Sequence, residues 1–229
     1  MDNDNIAVRH AEKFLDRREF MGLAAAMAAV SVGTALPAGV ARAANGPSTE
    51  FTRWLDSIGG NHRIVLDMRE PNGGMALAWA WVYLLTAQQG YGVPESDLGV
   101  ALVLRHNAIP LALGDVAWKK YPLGEYFSIT DPDTGKAARR NPFATVNTAY
   151  GFLPEMALHP LMQRGVRVGA CDMAIQFYSG EIAKKVGAAH EDVKADWNQA
   201  LLAGIAHMPS GLVACEGAVS VGCTYLYAG

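Results

Sequence analysis

The stretch VRVGACDMAIQFYSGEIAKKVG, residues 166 to 187, decides how this chain reads. Val166, Val168 and Ala170 alternate with Arg167 and Gly169, which is the period of a strand. The period then changes: Met173, Phe177, Ile182 and Val186 recur near the spacing of one helical face. Cys171 stands where the strand gives way to the helix. Helix N-termini carry unpaired N–H groups and partial positive charge. A thiol placed there ionises more readily, and the thiolate is the reactive form. The other reading is a small buried packing residue, since free cysteine packs well in cores.

Working toward the N-terminus, Leu153 to Arg164 reads as a helix. Residues 115 to 145 break the pattern and read as an inserted loop with a hairpin at Tyr126 to Thr130. Ala108 to Leu113 reads as the start of a helix interrupted by Pro110 and Gly114. Leu98 to His106 is a strand, and Arg63 to Met68 is another whose apolar run suits a buried parallel sheet. Between them, Glu70-Pro71-Asn72-Gly73-Gly74 is turn chemistry. Met75 to Gln89 is an uncharged helix with Trp79, Trp81 and Tyr83, expected to be covered on more than one side. Phe51, Trp54, Leu55 and Ile58 share a helical face that Gly59-Gly60 closes. Toward the C-terminus, Glu191 to Met208 reads as a helix and Leu212 to Cys215 as a strand entered through Pro209-Ser210-Gly211. A short helix, Gly217 to Gly222, and a final strand, Thr224 to Tyr227, complete the chain.

Five alternations of strand and helix predict a three-layer α/β fold with a five-stranded, mainly parallel sheet. Ligands in such folds bind beyond the carboxyl ends of the strands. The residues expected there are Asp67, Arg69, Glu70, His106, Asn107, Cys171, Asp172, Cys215 and Glu216. If the strands ending in Cys171 and Cys215 are neighbours, their backbones lie about 4.8 Å apart. That falls inside the roughly 4.4 to 6.8 Å Cα range of a disulfide. The expectation is a redox-active pair with Cys171 as the attacking thiol, and Cys223 alone as a packing residue.

The first 43 residues read as an export signal. Arg17-Arg18-Glu19-Phe20-Met21 is a twin-arginine pair before a small, apolar run from Gly22 to Val32. Ala41-Arg42-Ala43 fits a small-x-small cleavage site. The arginine pair points to the twin-arginine (Tat) machinery as a partner, cleavage near Ala43, and a periplasmic mature protein. Residues 44 to 62 are then linker and short helix, and 63 to 229 the α/β domain.

Composition narrows the chemistry. The net charge is −3, with no basic run after the leader, which excludes a nucleic-acid partner. The chain holds no GxGxxG and no GxxxxGK[ST] loop, and no Gly-x-Ser-x-Gly elbow. Its histidines and 3 cysteines show no metal-ligand spacing, so no metal and no cofactor is expected. Asp131-Pro132-Asp133-Thr134-Gly135 has only the opening of a calcium loop and reads as a turn.

The segments RGVRVGAC, MPSGLVAC and VGCTYLYAG resemble the DsrE/DsrF-like family from about Arg63 to the end, with residues 115 to 145 outside the likeness. The resemblance implies a flavodoxin-like α/β fold and a homo-oligomer, trimer or hexamer. It also implies sulfur relay, with a persulfide carried at the position matched by Cys171 and a donor or acceptor protein as partner. The alternative of a different class is a non-catalytic, oligomeric ligand- or partner-binding protein of the same fold.

Overall fold

The computed structural model describes residues 49 to 150 and 155 to 229. The twin arginines Arg17 and Arg18, the cleavage site near Ala43 and most of the linker lie outside the described residues. Five strands form one all-parallel sheet: β1 (His62–Met68), β2 (Leu98–Leu104), β3 (Arg167–Cys171), β4 (Ala206–Met208) and β5 (Thr224–Tyr227). Their order across the sheet is β4-β3-β2-β1-β5. In register, Met68 lies beside Leu104, Leu104 beside Ala170, and Cys171 beside Met208. The parallel, helix-flanked α/β architecture read from the sequence is therefore the one observed.

Eight helices surround the sheet among the described residues: α1 (Thr49–Asp56), α2 (Met75–Tyr91), α3 (Asp115–Lys120), α4 (Leu123–Tyr126), α5 (Leu158–Gln163), α6 (Asp172–Val186), α7 (His190–Gln199) and α8 (Gly211–Ser220). The strand order dictates which face each one covers. From β1 to β4 the chain steps across the sheet in one direction, so right-handed crossovers stack their helices on one face. The return from β4 to β5 runs the other way, and α8 falls on the opposite face. The core divides accordingly. Ile64, Leu66, Leu102, Leu104, Val168 and Ala170 pack under α2, α5, α6 and α7. Val65, Ala101, Val103 and Met208 pack under α1 and α8, against Trp54, Ala214 and Ala218. Alternation along β1 and β2 divides their side chains between the two faces.

Several elements differ from their sequence reading. The helix expected over Glu191 to Met208 stops at Gln199, and Ala206–Met208 is instead the short strand β4. Leu212 to Cys215 is not a strand: it is the first half of α8, which also absorbs the short helix expected from Gly217. Ser210 explains the exchange, because its hydroxyl accepts the Val213 N–H at 3.2 Å and caps a helix there. Residues 115 to 145 hold no hairpin at Tyr126. Tyr126 ends α4, and a lone antiparallel bridge joins Thr130 to Ala137 around the Asp131 turn. Nor is this segment a loose insert. Trp118 is fully buried and its indole N–H donates to the Pro110 and Leu113 carbonyls. Asn141, also buried, donates to Leu111 O at 2.7 Å and Leu113 O at 2.9 Å. The helix expected from Leu153 begins at Leu158; residues 153 and 154 lie outside the described residues. Along α2, Ala76, Leu77, Ala78, Ala80, Leu84 and Ala87 are buried and Trp81 and Tyr83 are partly so, while Trp79 and Leu85 stay exposed.

Candidate functional site at the carboxyl edge of the sheet

The carboxyl ends of β1, β2 and β3 bring together two polar clusters. On the α8 side, Asp67 is the single acid within β1 and is 2 % exposed. A buried carboxylate needs partners. Arg105, just past β2, supplies a two-pronged bond from Nε at 2.6 Å and Nη2 at 2.7 Å, and the Tyr225 hydroxyl donates at 2.6 Å. Burial would raise the Asp67 pKa, but the hydrogen bonds from Arg105 and Tyr225 outweigh it and hold the carboxyl below its ordinary value. The bond it donates to Asp67, with burial, pushes Tyr225 up to about 12. Gly211, the first residue of α8, lets Arg105 pass: a Cβ there would stand 2.5 Å from Arg105 Cδ.

Cys215 reaches this cluster from α8. It is buried, and burial together with the Asp67 charge pushes its thiol up to about 12, so it stays protonated at neutral pH. Cys171 is close enough to add to that shift. Cys171 itself ends β3 and caps α6, and its Sγ accepts the Ala174 N–H at 3.3 Å. It is 6 % exposed. Cys171, Cys215 and Cys223 are all free, buried thiols. Cys215 lies on a helix, so the two cysteines do not end neighbouring strands as the expected redox pair required.

On the α6 side a second cluster forms. Glu70 Oε2 accepts from Asn107 Nδ2 at 2.8 Å, and Asn107 Oδ1 accepts from the Tyr178 hydroxyl at 2.7 Å. His106 Nδ1 stands 3.4 Å from Glu70 Oε1, longer than a good hydrogen bond. His106 adopts φ +52, a left-handed conformation uncommon outside glycine, in which asparagine, aspartate and histidine are enriched among other residues. Burial pushes its pKa below the ordinary imidazole value; Glu70 pulls upward, and the charges of Arg69 and Arg105 push it further down. Its ring meets the Tyr178 ring edge-on at 5.8 Å. Burial also raises the Tyr178 pKa.

Most of the residues expected at the carboxyl edge are there: Asp67, Glu70, His106, Asn107 and Cys171 follow or end their strands, and Asp172 opens α6. Glu216 is not. It lies within α8 and is exposed, on the side turned from the sheet that Ala214, Cys215 and Ala218 pack against. Sequence reasoning passed over Arg105, Tyr225 and Tyr178 as site residues. The lone Asp67 inside the apolar strand HRIVLDM was the available signal, because a buried acid demands a cation nearby. Two surface cavities, of about 250 and 410 Å³, lie away from this edge. Among the described residues no group of 3 or more His, Cys, Asp or Glu side chains could hold a metal ion. No helix among them is long and apolar enough to cross a membrane. Comparison with protein-family models, with curated proteins and with solved structures finds no match to this chain.

Proposed function

We propose that the protein is an exported sulfur carrier of the DsrE/DsrF-like kind, in which Cys171 takes up sulfane sulfur as a persulfide and passes it on. The observation that carries this reading is the position of one sulfur atom. Cys171 Sγ sits at the β3–α6 junction and accepts a backbone N–H of the first turn of α6. Negative charge on that sulfur meets the positive end of a 15-residue helix. In the transfer, the Cys171 thiolate attacks the outer sulfur of a donor persulfide. A new sulfur–sulfur bond forms at Cys171, the donor's own sulfur–sulfur bond breaks, and its electron pair leaves on the donor thiolate. Delivery to an acceptor thiolate is the same exchange in reverse, so no external oxidant is required. Cys215, held protonated by burial and by the Asp67 charge, is a poor nucleophile at neutral pH.

The same proposal places the mature protein in the periplasm, exported through Arg17 and Arg18, and makes it a homo-oligomer. Trp79 and Leu85 on α2, and Leu212 and Val213 on α8 at the opposite face, are exposed apolar side chains that assembly would cover.

Incubating the purified protein with a sulfane donor and weighing it by mass spectrometry tests the carrier role. The expected result is a gain of one sulfur atom, lost in Cys171→Ser and kept in Cys215→Ser and Cys223→Ser. A wild-type chain that gains none would sink it. The second reading is a non-catalytic binding protein of this fold, and the 6 % exposure of Cys171 favours it, since a relay thiol must meet its partners. Under that reading all cysteines label slowly in the native protein, with or without reductant.

A further inference from the structure

The two edges of the sheet are finished differently. β4 forms one edge, and α1 closes it: Glu50 accepts the His207 N–H at 2.9 Å. β5 forms the other edge, and all 4 of its residues are exposed. Ala228, just past β5, donates its N–H to Asp67 O at 3.0 Å. In a parallel pair every second residue bonds to a given neighbour. Thr224 and Leu226 therefore turn their N–H and C=O groups to β1, as Ala228 does, and Tyr225 and Tyr227 turn theirs outward. Those outward groups have no partner among the described residues.

An open edge is a template for another strand, and proteins usually protect it with charged residues, proline or a bulge. No charged residue and no proline stands between Gly217 and Gly229. The side chains there are apolar and outward. Leu226 lies beside Leu66, on the face that α2 covers, and Tyr225 lies beside Val65, on the face that α8 covers. Val219, exposed at the end of α8, leads into β5 through a turn in which its carbonyl accepts the Gly222 N–H at 3.0 Å. Tyr225, Leu226, Tyr227 and Val219 are between 42 % and 59 % exposed. With Thr224 they offer about 500 Å² per copy. Covering that on two copies gives the roughly 1,000 Å² total at which specific interfaces begin.

From this edge we propose that β5 is an interface between two copies of this chain, paired antiparallel about a two-fold axis through Leu226, so that the two sheets join into one. The pattern is self-complementary. With Leu226 on the axis, Tyr225 of each copy faces Tyr227 of the other, and each such pair exchanges both its N–H···O bonds. Every outward N–H and C=O of Tyr225 and Tyr227 is then used. Leu226 meets its own counterpart as a non-hydrogen-bonded pair, at a Cα separation of about 4.5 Å. A two-fold contact sets the same patch against itself, so no charged side chains are opposed. A charged partner strand would find no counter-charge there. The proposal deepens the homo-oligomer reading above, on which it rests, and does not depend on sulfur chemistry. It fits a dimer or a hexamer and excludes a lone trimer.

Light scattering on the full chain at micromolar concentration is the first measurement, and an even multiple of the chain mass is expected. Leu226→Lys places two like charges across the axis and should raise the dissociation constant at least about tenfold. Leu226 is exposed on an edge strand, so this variant should keep the wild-type Tm. Leu226→Cys should give a disulfide-linked dimer on mild oxidation, because about 4.5 Å falls within the Cα range of a disulfide. Thr224→Cys faces Ala228 of the other copy and should stay unlinked; the native cysteines are buried. A monomeric wild type overturns both this proposal and the oligomer reading. A trimer, an oligomer unchanged by Leu226→Lys with Leu226→Cys unlinked, or equal linking of both cysteine variants overturns the β5 contact alone.

Discussion

Two neighbouring strands run into helices at the same edge of the sheet, and the two junctions are built on different physics. β3 has 5 residues and passes into α6 with no connecting loop, and Cys171 is both its last residue and the helix cap. β4 has 3 residues, then Pro209 intervenes, and Ser210 caps α8. The α8 junction is fixed by charge, through Arg105 lying over Gly211 with both its prongs on Asp67. The α6 junction is fixed mainly by apolar packing, with Ala174, Ile175 and Tyr178 in the large core; its polar latches are the Cys171 sulfur and the Tyr178 hydroxyl on Asn107. The buried ion pair belongs to the α8 junction, and the proposed sulfur chemistry to the α6 junction.

The most severe way to break this contrast is Asp67→Ala. It leaves the mostly buried Arg105 guanidinium without its anion, and removing one partner of a buried pair costs about 3 to 5 kcal/mol. Urea unfolding should show that loss, and hydrogen exchange should show α8 amides losing protection before those of α6. Equal loss in both helices would mean that the pair does not belong to the α8 junction alone.

Exchanging the caps has a smaller effect. Ser210→Ala removes the acceptor for Val213 N–H and should cost about 1 kcal/mol. Cys171→Ser replaces one cap by a better one and should change stability by less than about 0.5 kcal/mol while abolishing sulfur uptake. A large destabilisation by Cys171→Ser would show that the thiol serves packing rather than chemistry.

The smallest effect is acid sensitivity, and it separates the two sides by pH. The folded state lowers the His106 pKa from 6.5, so the unfolded chain takes up the proton first. The stability tied to neutral His106 is complete above pH 6.5 and is lost as the pH falls from there through the folded value. Asp67 is also lowered, from 3.8, and its contribution is lost only as the pH falls below 3.8. Stability measured against pH should therefore soften first near the α6 side, and His106→Gln should remove that early step while leaving the acid limb. A His106→Gln curve parallel to wild type between pH 6.5 and 3.8 would refute the assignment.

How much was legible follows the same division. β3 and α6 were readable because a strand period and a helical period meet at one residue, Cys171, without a loop to blur them. β4 was not readable. Ala206-His207-Met208 is too short to show alternation, and the apolar residues before it continue the stripe of α7. The segment LVAC then looked like a strand because its apolar run fits either element, and only the Ser210 cap told them apart. Glu216 was misplaced for that reason. Arg105 and Tyr225 were overlooked because their role depends on Asp67, which lies 38 and 158 residues away in the chain.

By itself the sequence determined the α/β class, four of the five strands and the placing of Cys171 at a strand-to-helix junction. Those features are periodic and local, and a window of ten to twenty residues contains their cause. Only the tertiary structure decided the order β4-β3-β2-β1-β5, the reversal that puts α8 alone with α1 on one face, and the joining of Asp67, Arg105 and Tyr225. These are contacts between distant segments, chosen by handedness, by burial and by the need to neutralise one buried acid, and no local pattern encodes them.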